Sequence, residues 1–536
     1  MPPTRLLATL VPHPKKSWLL PCLVACLTFP VHAIAGRTLA APPNIVFILA
    51  DDLGYGDLGC YNRESKIPTP HLDRLAGEGL RFTDAHSPSS VCSPTRYALL
   101  TGRYAWRSRL QQGVLVPWDP PLVARDRLTV AALLQQHGYR TACIGKWHLG
   151  WEWPTTDGQR AESVKNRLSN VDFSKPLTGG PTTRGFDRYF GTDVPNYPPY
   201  CFIEQDRTLG IPHAANRPEF NRPGPMLPGW QWVDIMPELT ARAVHFIHDA
   251  AHDDQRRPFF LYMPLTAPHY PVTPAARFQG RSQCGDYGDL VAQVDDTVGQ
   301  VVAALAAAQV AANTLVIFTS DNGPEIAGEV RPGAYDRART YGHYSMAPWR
   351  GTKRDLWEGG HRVPFLVRWP GNVKPGTTSD ETICHVDLLA TVAAILGATL
   401  PSNAGEDSYN LLPVLRGESY SRPLREATVH HSGSGRFAIR KGDWVLIAGP
   451  GGDDNGPKTG SEPAWFRSER GYSQTEPQRQ LYNLREDPHQ RHNVAERQPQ
   501  VVDELQSLLA RYLNQGRSTP GDLQKNDVAI EGRRLP

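Results

Sequence analysis

The sequence predicts an α/β protein: a doubly wound sheet with helices on both faces, followed by a smaller α+β unit. Two continuous apolar runs, 44–50 and 314–319, have the composition of strands buried on both faces of a parallel sheet. Apolar residues at helical spacing, from Val291 to Leu305, precede the second run. Helices that feed buried strands are typical of this class, in which ligands bind at the carboxyl ends of the strands.

Each of these two predicted strands ends in acidic or amide side chains. Asp51 and Asp52 directly follow the first run, and Asp321-Asn322 lies just beyond the second. We expect the two clusters to meet at one edge of the sheet. Their oxygens suit a hard divalent cation such as calcium or magnesium rather than zinc. Helix capping is the alternative explanation for either cluster taken alone.

Two further helices are predicted between these strands. The first begins at Thr69-Pro70, an N-cap residue followed by proline, and stops at Gly79. The second begins at Cys92, because Pro94 suits a first helical turn and Gly102 suits a helix end. A cysteine at a helix N-terminus lies where free N–H groups favour an anion. The alternative is that this cysteine is a small buried hydrophobic residue.

The residue pattern of the chain changes after about residue 420. A β-hairpin is predicted over 437–447 and an amphipathic helix over 501–512, whereas 151–186 and 202–235 have the composition of loops. We therefore expect a catalytic domain over 42–420, then a C-terminal subdomain with an antiparallel sheet and terminal helix over 421–516. A polar tail is predicted over 517–536.

The first 35 residues resemble a signal peptide. Lys15 and Lys16 precede an apolar run over 18–31 that ends in small residues. Two prolines and the short apolar length argue against a membrane-spanning helix. We expect export, to the periplasm or the medium. A lipoprotein-like segment ending at Cys26 offers lipid anchoring as an alternative.

The charge of the chain excludes some classes of partner. The net charge is +3, and three basic residues of the leader account for all of it. The rest of the chain is therefore neutral overall, which gives no electrostatic reason to expect nucleic acid or an anionic membrane surface as a partner. We also expect no integral membrane span. The six cysteines after the leader form no C-x-x-C pair, so a zinc knuckle is not expected, and disulfide pairing stays open.

The segment C-S-P-T-R-Y-A-L-L-T-G-R over 92–103 resembles the signature of the type I sulfatases, in which the cysteine of C-x-P-x-R is oxidised to formylglycine. Thr95 stands where many members have serine. The resemblance continues in family order through segments 51–57, 145–150, 267–269, 320–323 and 350–360, and 481–488 resembles the family's C-terminal hairpin. Six motifs in one order are not explained by chance.

This resemblance implies an alkaline-phosphatase-like mixed sheet sandwiched by helices, and hydrolysis of sulfate monoesters. It implies a divalent cation, calcium first and magnesium second, and a maturation enzyme that makes formylglycine from Cys92. The implied metal ligands are Asp51, Asp52, Cys92, Asp321 and Asn322. The implied catalytic residues are Cys92, Arg96, Lys146, His148, His269 and Lys353.

The resemblance also assigns roles that the chemistry needs. A sulfate ester is anionic, and charge builds up on the leaving oxygen, so placed cations and a proton donor are required. Lys146 and Lys353 match the sulfate-binding lysines, and Arg96 would steady the hydroxyl of the modified cysteine. His269 matches the acid that protonates the leaving oxygen. His148 matches the group that helps to break the covalent sulfate intermediate.

The substrate is predicted from weaker signals. A neutral body with a few focused cations suits one terminal sulfate on a neutral or amino sugar. The segment 429–432 weakly resembles bacterial carbohydrate sulfatases, including some that act on sulfated galactose-type sugars. We therefore expect an exo-acting carbohydrate sulfatase, with aryl sulfates as surrogates. The candidate sugar-binding residues, for which ordinary loop or strand-end roles are the alternative, are His430, His431, Asp193 and Asn196.

Two other functions stay open at this point. One is a phosphomonoesterase or phosphodiesterase on the same fold, although such relatives usually place Ser or Thr where this chain has Cys92. The other is a sulfated-glycan binding protein with a dead active site. It would bind without releasing sulfate and keep an unmodified thiol.

Overall fold

The computed structural model describes residues 42–530 except 165–167, 217–221, 327–331, 422, 454, 456–460, 474 and 476. The predicted signal peptide, Cys26 and the last six residues of the predicted tail lie outside the described residues.

The described residues contain eighteen strands and eleven helices. The strands are β1 (Asn44–Asp51), β2 (Leu80–Phe82), β3 (Ala85–His86), β4 (Arg140–Lys146), β5 (Arg188–Thr192), β6 (Ile203–Glu204), β7 (Arg207–Thr208), β8 (Ala214–Ala215), β9 (Pro225–Met226), β10 (Phe259–Pro268), β11 (Thr314–Ser320), β12 (Phe365–Arg368), β13 (Thr377–Ser379), β14 (Ile383–Cys384), β15 (Thr428–His431), β16 (Phe437–Lys441), β17 (Trp444–Ala448) and β18 (Arg479–Asn483). The helices are α1 (Pro70–Gly77), α2 (Cys92–Thr101), α3 (Val130–Gln136), α4 (Ile235–Ala251), α5 (Gly285–Ala307), α6 (Ala334–Tyr341), α7 (Glu358–His361), α8 (Leu388–Leu396), α9 (Leu412–Arg416), α10 (Ala464–Arg470) and α11 (Pro499–Gln515).

Ten strands form the main sheet, in the order β13-β2-β12-β11-β1-β10-β4-β5-β6-β7. The four central strands β11, β1, β10 and β4 are parallel, so their carboxyl ends share one edge. Strand β12 is antiparallel to β11, which makes the sheet mixed. The predicted mixed sheet and the strands at 44–50 and 314–319 are therefore confirmed.

Both faces of the main sheet are covered by helices. Alternate residues of β1 pack on opposite faces of the sheet. The first face carries Ile45, Phe47 and Leu49, and the second carries Val46, Ile48 and Ala50. The first face packs with α2, α3 and α8, and the second with α1, α4 and α5. This double burial explains why β1 is apolar without alternation.

The predicted helices are also present, with one difference in length. α1 ends at Gly77, two residues before the predicted stop at Gly79. α5 contains the predicted run from Val291 to Leu305, and it is long and apolar enough to cross a membrane. Most of its length is buried against the second face of the sheet, which is the position of a core helix.

A four-stranded antiparallel sheet, in the order β15-β16-β17-β18, forms the C-terminal part. The predicted hairpin is confirmed as β16 and β17, and the predicted terminal helix as α11. This sheet shares a core with α11 and with the far side of α2. For example, Trp106 just after α2 meets Phe437 edge to face at 5.4 Å between ring centroids.

The described part of the predicted tail packs against the chain that follows α2. Asp527 forms an ion pair with Arg103 at 3.0 Å, and its backbone N–H donates to the Arg107 carbonyl at 2.7 Å. The Ser518 N–H donates to the Asp407 carboxylate at 3.0 Å. The six cysteines of the described residues form no disulfide with one another.

Three buried histidines join the C-terminal sheet to the main body. His361 donates its Nε2–H to the Leu356 carbonyl at 3.0 Å, and its Nδ1 lies 3.0 Å from Nδ1 of His86. The His430 ring stacks on that of His361 at 3.8 Å. Two carboxylates and two guanidinium groups surround them: Asp84, Glu358, Arg362 and Arg440.

Acid should destabilise the protein through this cluster. Burial lowers the pKa of all three rings, that of His361 to about 3, so below pH about 6.5 the unfolded chain binds more protons than the folded one. Stability should fall with decreasing pH by about 1.4 kcal/mol per unit for each histidine. Denaturant unfolding between pH 7.5 and 5 measures this. His430→Asn should lower the dependence of the unfolding free energy on pH by the contribution of one histidine. An unchanged pH dependence would contradict the role of this cluster in acid sensitivity.

Candidate active site

Four neighbouring parallel strands each bring a polar residue to one edge of the main sheet. Asp51 ends β1, Lys146 ends β4, His269 follows β10 and Asp321 follows β11. The edge is held by the backbone, since the Asp321 N–H donates to the Ala50 carbonyl at 3.0 Å. The predicted meeting of the two acidic clusters is therefore found in the structure.

The N-terminus of α2 completes this edge with Cys92. Its thiol donates to Oδ1 of Asp51 at 3.7 Å. Burial raises the pKa of this thiol to about 12, so it is protonated at neutral pH. Arg96, one turn further along α2, lies in the same cluster.

Three cations face three carboxylates here, all buried. Lys146 Nζ lies 2.6 Å from Asp51. Arg96 Nη2 lies 2.7 Å from Asp321, and Lys353 Nζ lies 2.8 Å from Asp52, which completes the three pairs.

The electrostatics of these pairs follow from burial and close opposite charge. Burial would raise the pKa of Asp51, but Lys146 and its neighbours outweigh it and hold that pKa well below its usual range. Burial and the Asp51 charge raise the pKa of Asp321 to about 6. Burial would lower the pKa of Lys353, but Asp52 outweighs it and raises that pKa. The lysines are therefore fully charged.

The predicted metal ligands fit a hard divalent cation. Asp51, Asp52, Asp321 and Asn322 all supply oxygen donors. The Asn322 amide donates to Asp52 at 2.7 Å, whereas its buried Oδ1 has no hydrogen-bond partner. Ligand atoms of Asp51, Asp52, Cys92 and His269 also lie within 4.8 Å of one another. An unpartnered buried oxygen beside three carboxylates is what a cation site requires.

The two predicted catalytic histidines differ in their hydrogen bonds. His148 donates Nε2–H to the Leu115 carbonyl at 3.0 Å. His269 donates Nδ1–H to the Tyr270 carbonyl at 2.6 Å, and its Nε2 lies 3.7 Å from Asp52. Burial lowers the pKa of both rings, that of His148 further.

Three residues at this site have backbone in the left-handed region. Asp52, His148 and Arg354 have φ values of +63°, +54° and +80°, which non-glycine residues rarely adopt. Each is adjacent to, or part of, the catalytic set. The surrounding packing therefore holds these side chains in directions that relaxed backbone would not give them.

The predicted sugar-binding residues separate into two groups. Asp193, just after β5, accepts from Trp151 Nε1 at 3.3 Å and from the His148 backbone N–H, and burial raises its pKa to about 6. Asn196 follows in the same loop, and its carbonyl accepts the Tyr200 hydroxyl at 3.1 Å. Asp193 therefore lies beside His148, and Asn196 lies three residues further along the same loop.

His430 and His431 lie on β15. The His430 ring has no exposed surface and contacts the other two histidines of the buried cluster, so a sugar would reach it only after rearrangement. The His431 ring packs on Phe437, and its carbonyl accepts from the Ser89 hydroxyl at 2.7 Å. Their role as sugar ligands stays a prediction.

Two residues at the site were not predicted from the sequence. Glu325 accepts from Arg354 at 2.6 and 2.8 Å and lies 3.3 Å from Lys353 Nζ. Its position three residues after Asn322 is the sequence feature that could have indicated a role at the site. The Tyr197 ring meets the His148 ring edge to face at 5.9 Å, and nothing in its loop sequence indicated this contact.

Comparison with known proteins agrees with this geometry. The Sulfatase family model matches residues 43–398. An N-acetylgalactosamine-6-O-sulfatase of Bacteroides thetaiotaomicron is 34% identical over 510 residues, covering 87% of this chain and 92% of its own length. Human arylsulfatase A is 36% identical over 497 residues and covers 88% of both chains.

Solved structures give the same result. One, from work on the metabolism of multiple glycosaminoglycans by Bacteroides thetaiotaomicron, has a TM-score of 0.74 and 32% identity, covering 88% of this chain and 99% of that one. A sulfatase from Pseudoalteromonas sp. has a TM-score of 0.65 and 25% identity, covering 88% and 90%. With a family model across two thirds of its length and relatives above 30% identity, the chain belongs to the sulfatase family and is a sulfuric ester hydrolase.

Proposed function

We propose that this protein removes a terminal sulfate from a sulfated sugar, using a formylglycine made from Cys92 and one calcium ion. The observation that carries the proposal is the position of Cys92, which sits at the N-terminus of α2 beside Asp51, Lys146 and Arg96. Magnesium is the alternative cation.

A formylglycine at residue 92 supplies, as its hydrate, two hydroxyls on one carbon, which a thiol lacks. A cation held by Asp51, Asp52, Asp321 and Asn322 supplies Lewis acidity toward sulfate oxygens. The side chains of the protein do the rest. Lys146 and Lys353 are buried and charged, so they can bind the sulfate anion and offset charge in the transition state.

The two histidines can move protons at defined atoms. His269 keeps Nδ1–H on a carbonyl, so Nε2 is the atom that would carry the second proton of the imidazolium form and give it to the leaving oxygen, which returns the ring to its neutral form. His148 keeps Nε2–H on a carbonyl, so Nδ1 is the atom able to accept a proton. Arg96 donates to the Lys146 carbonyl at 3.2 Å and to the Asp321 carboxylate. It therefore holds these two residues in place.

Two features favour a sugar as the natural substrate. The Bacteroides relative acts on N-acetylgalactosamine 6-sulfate by its name, and it aligns over most of both chains. Asp193 adds a polar group beside His148, and Asn196 follows it in the same loop, so we expect these two residues to bind sugar hydroxyls. A maturation enzyme that makes the formylglycine is an implied partner. Export to the periplasm or the medium, with lipid anchoring at Cys26 as the alternative, completes the proposal.

Replacing Cys92 tests the modification. Cys92→Ser should fold but lose turnover of an aryl sulfate by roughly a thousand-fold or more, because a serine has no second hydroxyl with which to expel sulfate. The peptide that contains residue 92 should have a lower mass in the active protein than its thiol form, by the mass difference between a thiol and an aldehyde side chain. Cys60→Ser, a thiol change outside the site, should keep activity. Full activity with an unmodified Cys92 would refute the mechanism.

Removing the cation tests the metal site. Chelation should abolish turnover and lower Tm, because Asp51, Asp52 and Asp321 lose a shared counter-charge. A cation present at a hundred times its Kd stabilises by about 2.7 kcal/mol. Re-addition of calcium should restore both properties better than magnesium. Asp321→Asn should show no Tm response to the chelator, whereas an unaltered Tm and turnover in the natural protein would contradict the site.

A substrate panel tests the specificity. Monosulfated sugars, with N-acetylgalactosamine 6-sulfate first, should be turned over with higher kcat/KM than 4-nitrophenyl sulfate, and 4-nitrophenyl phosphate should be much slower. Asn196→Ala should reduce kcat/KM on the sugar more than on the aryl ester, since the aryl ester lacks the hydroxyls. The same comparison applies to His430→Ala and His431→Ala. Equal losses on both substrates would give these residues a structural role.

A further inference from the structure

The hydrogen bond of His148 fixes the tautomer of its ring. Because a carbonyl can accept only, the 3.0 Å contact with Leu115 requires the proton to be on Nε2. In the neutral ring Nδ1 then carries a lone pair. This Nδ1 is buried and has no hydrogen-bond partner among the described residues. A buried nitrogen with a free lone pair can accept a proton or a hydrogen bond from a group that enters the site.

The ring is influenced by charges that also act on Cys92. Lys146 and Asp51 act on the His148 ring and on the Cys92 thiol, and Arg96 acts on the ring as well.

The carbonyl that fixes this tautomer belongs to a segment without regular secondary structure. Leu115 lies between α2 and α3 and is itself part of no strand or helix that would set the direction of its peptide groups. Its own N–H donates to the Ser93 hydroxyl oxygen at 3.1 Å. Ser93 has no exposed surface and directly follows Cys92 at the start of α2. Two hydrogen bonds therefore connect the helix of the nucleophile, through Leu115, to His148.

We propose that Ser93 is a positioning residue for His148. By holding Leu115, it presents the carbonyl that keeps the proton on Nε2 and leaves Nδ1 to accept a proton from the hydroxyl on residue 92. In that step the O–H bond breaks, an N–H bond forms at Nδ1, and the oxygen keeps the electron pair. The catalytic part of this inference rests on the proposed function, whereas the tautomer does not.

Thr95 provides a matched control on the same helix. Its hydroxyl is equally buried and donates to the Ser89 carbonyl at 3.0 Å, so it is not connected to Leu115. Ser93→Ala and Thr95→Val each remove one buried hydroxyl from the first turn of α2. A general loss of helix stability would affect both variants, whereas the loss of His148 positioning would affect Ser93→Ala alone.

The test measures the tautomer first. In the full chain labelled with ¹⁵N-histidine, and with His148→Gln used to assign the signals, the natural sequence should show His148 protonated at Nε2. Ser93→Ala should shift these signals toward a tautomer mixture, and Thr95→Val should not. This measurement needs no turnover, so it can also be made in the Cys92→Ser background.

Kinetics supply the second measurement. Per mole of aldehyde-bearing enzyme, Ser93→Ala should lower kcat on an aryl sulfate about tenfold with KM nearly unchanged, since a positioned base contributes 10²–10⁴-fold. Unchanged His148 signals in Ser93→Ala would overturn the proposal, as would equal kcat losses in both variants. If the natural enzyme releases no sulfate, the proposed function fails, and the tautomer measurement still decides the role of Ser93.

Discussion

The crowding of three buried carboxylates at the end of β1 and β11 is the constraint on which the rest of the site depends. Burying an unpaired charge costs several kcal/mol, so Asp51, Asp52 and Asp321 each need a cation nearby. Lys146, Lys353 and Arg96 supply one each and balance the charge. A divalent cation bound to the same carboxylates would make the cluster net positive and weaken the attraction between the carboxylates and the lysines. The two ammonium groups would then be available to bind an anion.

The architecture explains why so many elements contribute to one site. Parallel strands deliver polar residues to a single edge, Lys146 of β4 among them, and the other two cations of the cluster come from outside these strands. Arg96 comes from α2 and Lys353 from the segment between α6 and α7. The C-terminal sheet packs behind α2 and pairs with residues 88–90 through the His431 backbone. It therefore supports the segment that leads into Cys92.

The sequence was most informative where local chemistry decides the structure. A strand buried on both faces has no alternation, and a sudden carboxylate marks its end, so β1, β11 and the cluster of Asp51 and Asp321 could be predicted. Long-range packing left no such mark. The alternation of β15 places Val429 and His430 on opposite faces, but nothing in the segment tells that the second face is covered by His361. Glu325 was missed for the same reason, because its partners come from a distant loop.

The contact between Asp527 and Arg103 bears on the timing of the proposed maturation. Cys92 is 2% exposed, so a maturation enzyme would have to reach it before the core around α2 has closed. The ion pair of Arg103 with Asp527 joins the segment just after α2 to a residue 424 positions later in the chain. The packing next to α2 is therefore completed only after Asp527 has been synthesised. The interval between the synthesis of α2 and that of Asp527 would be available for the modification.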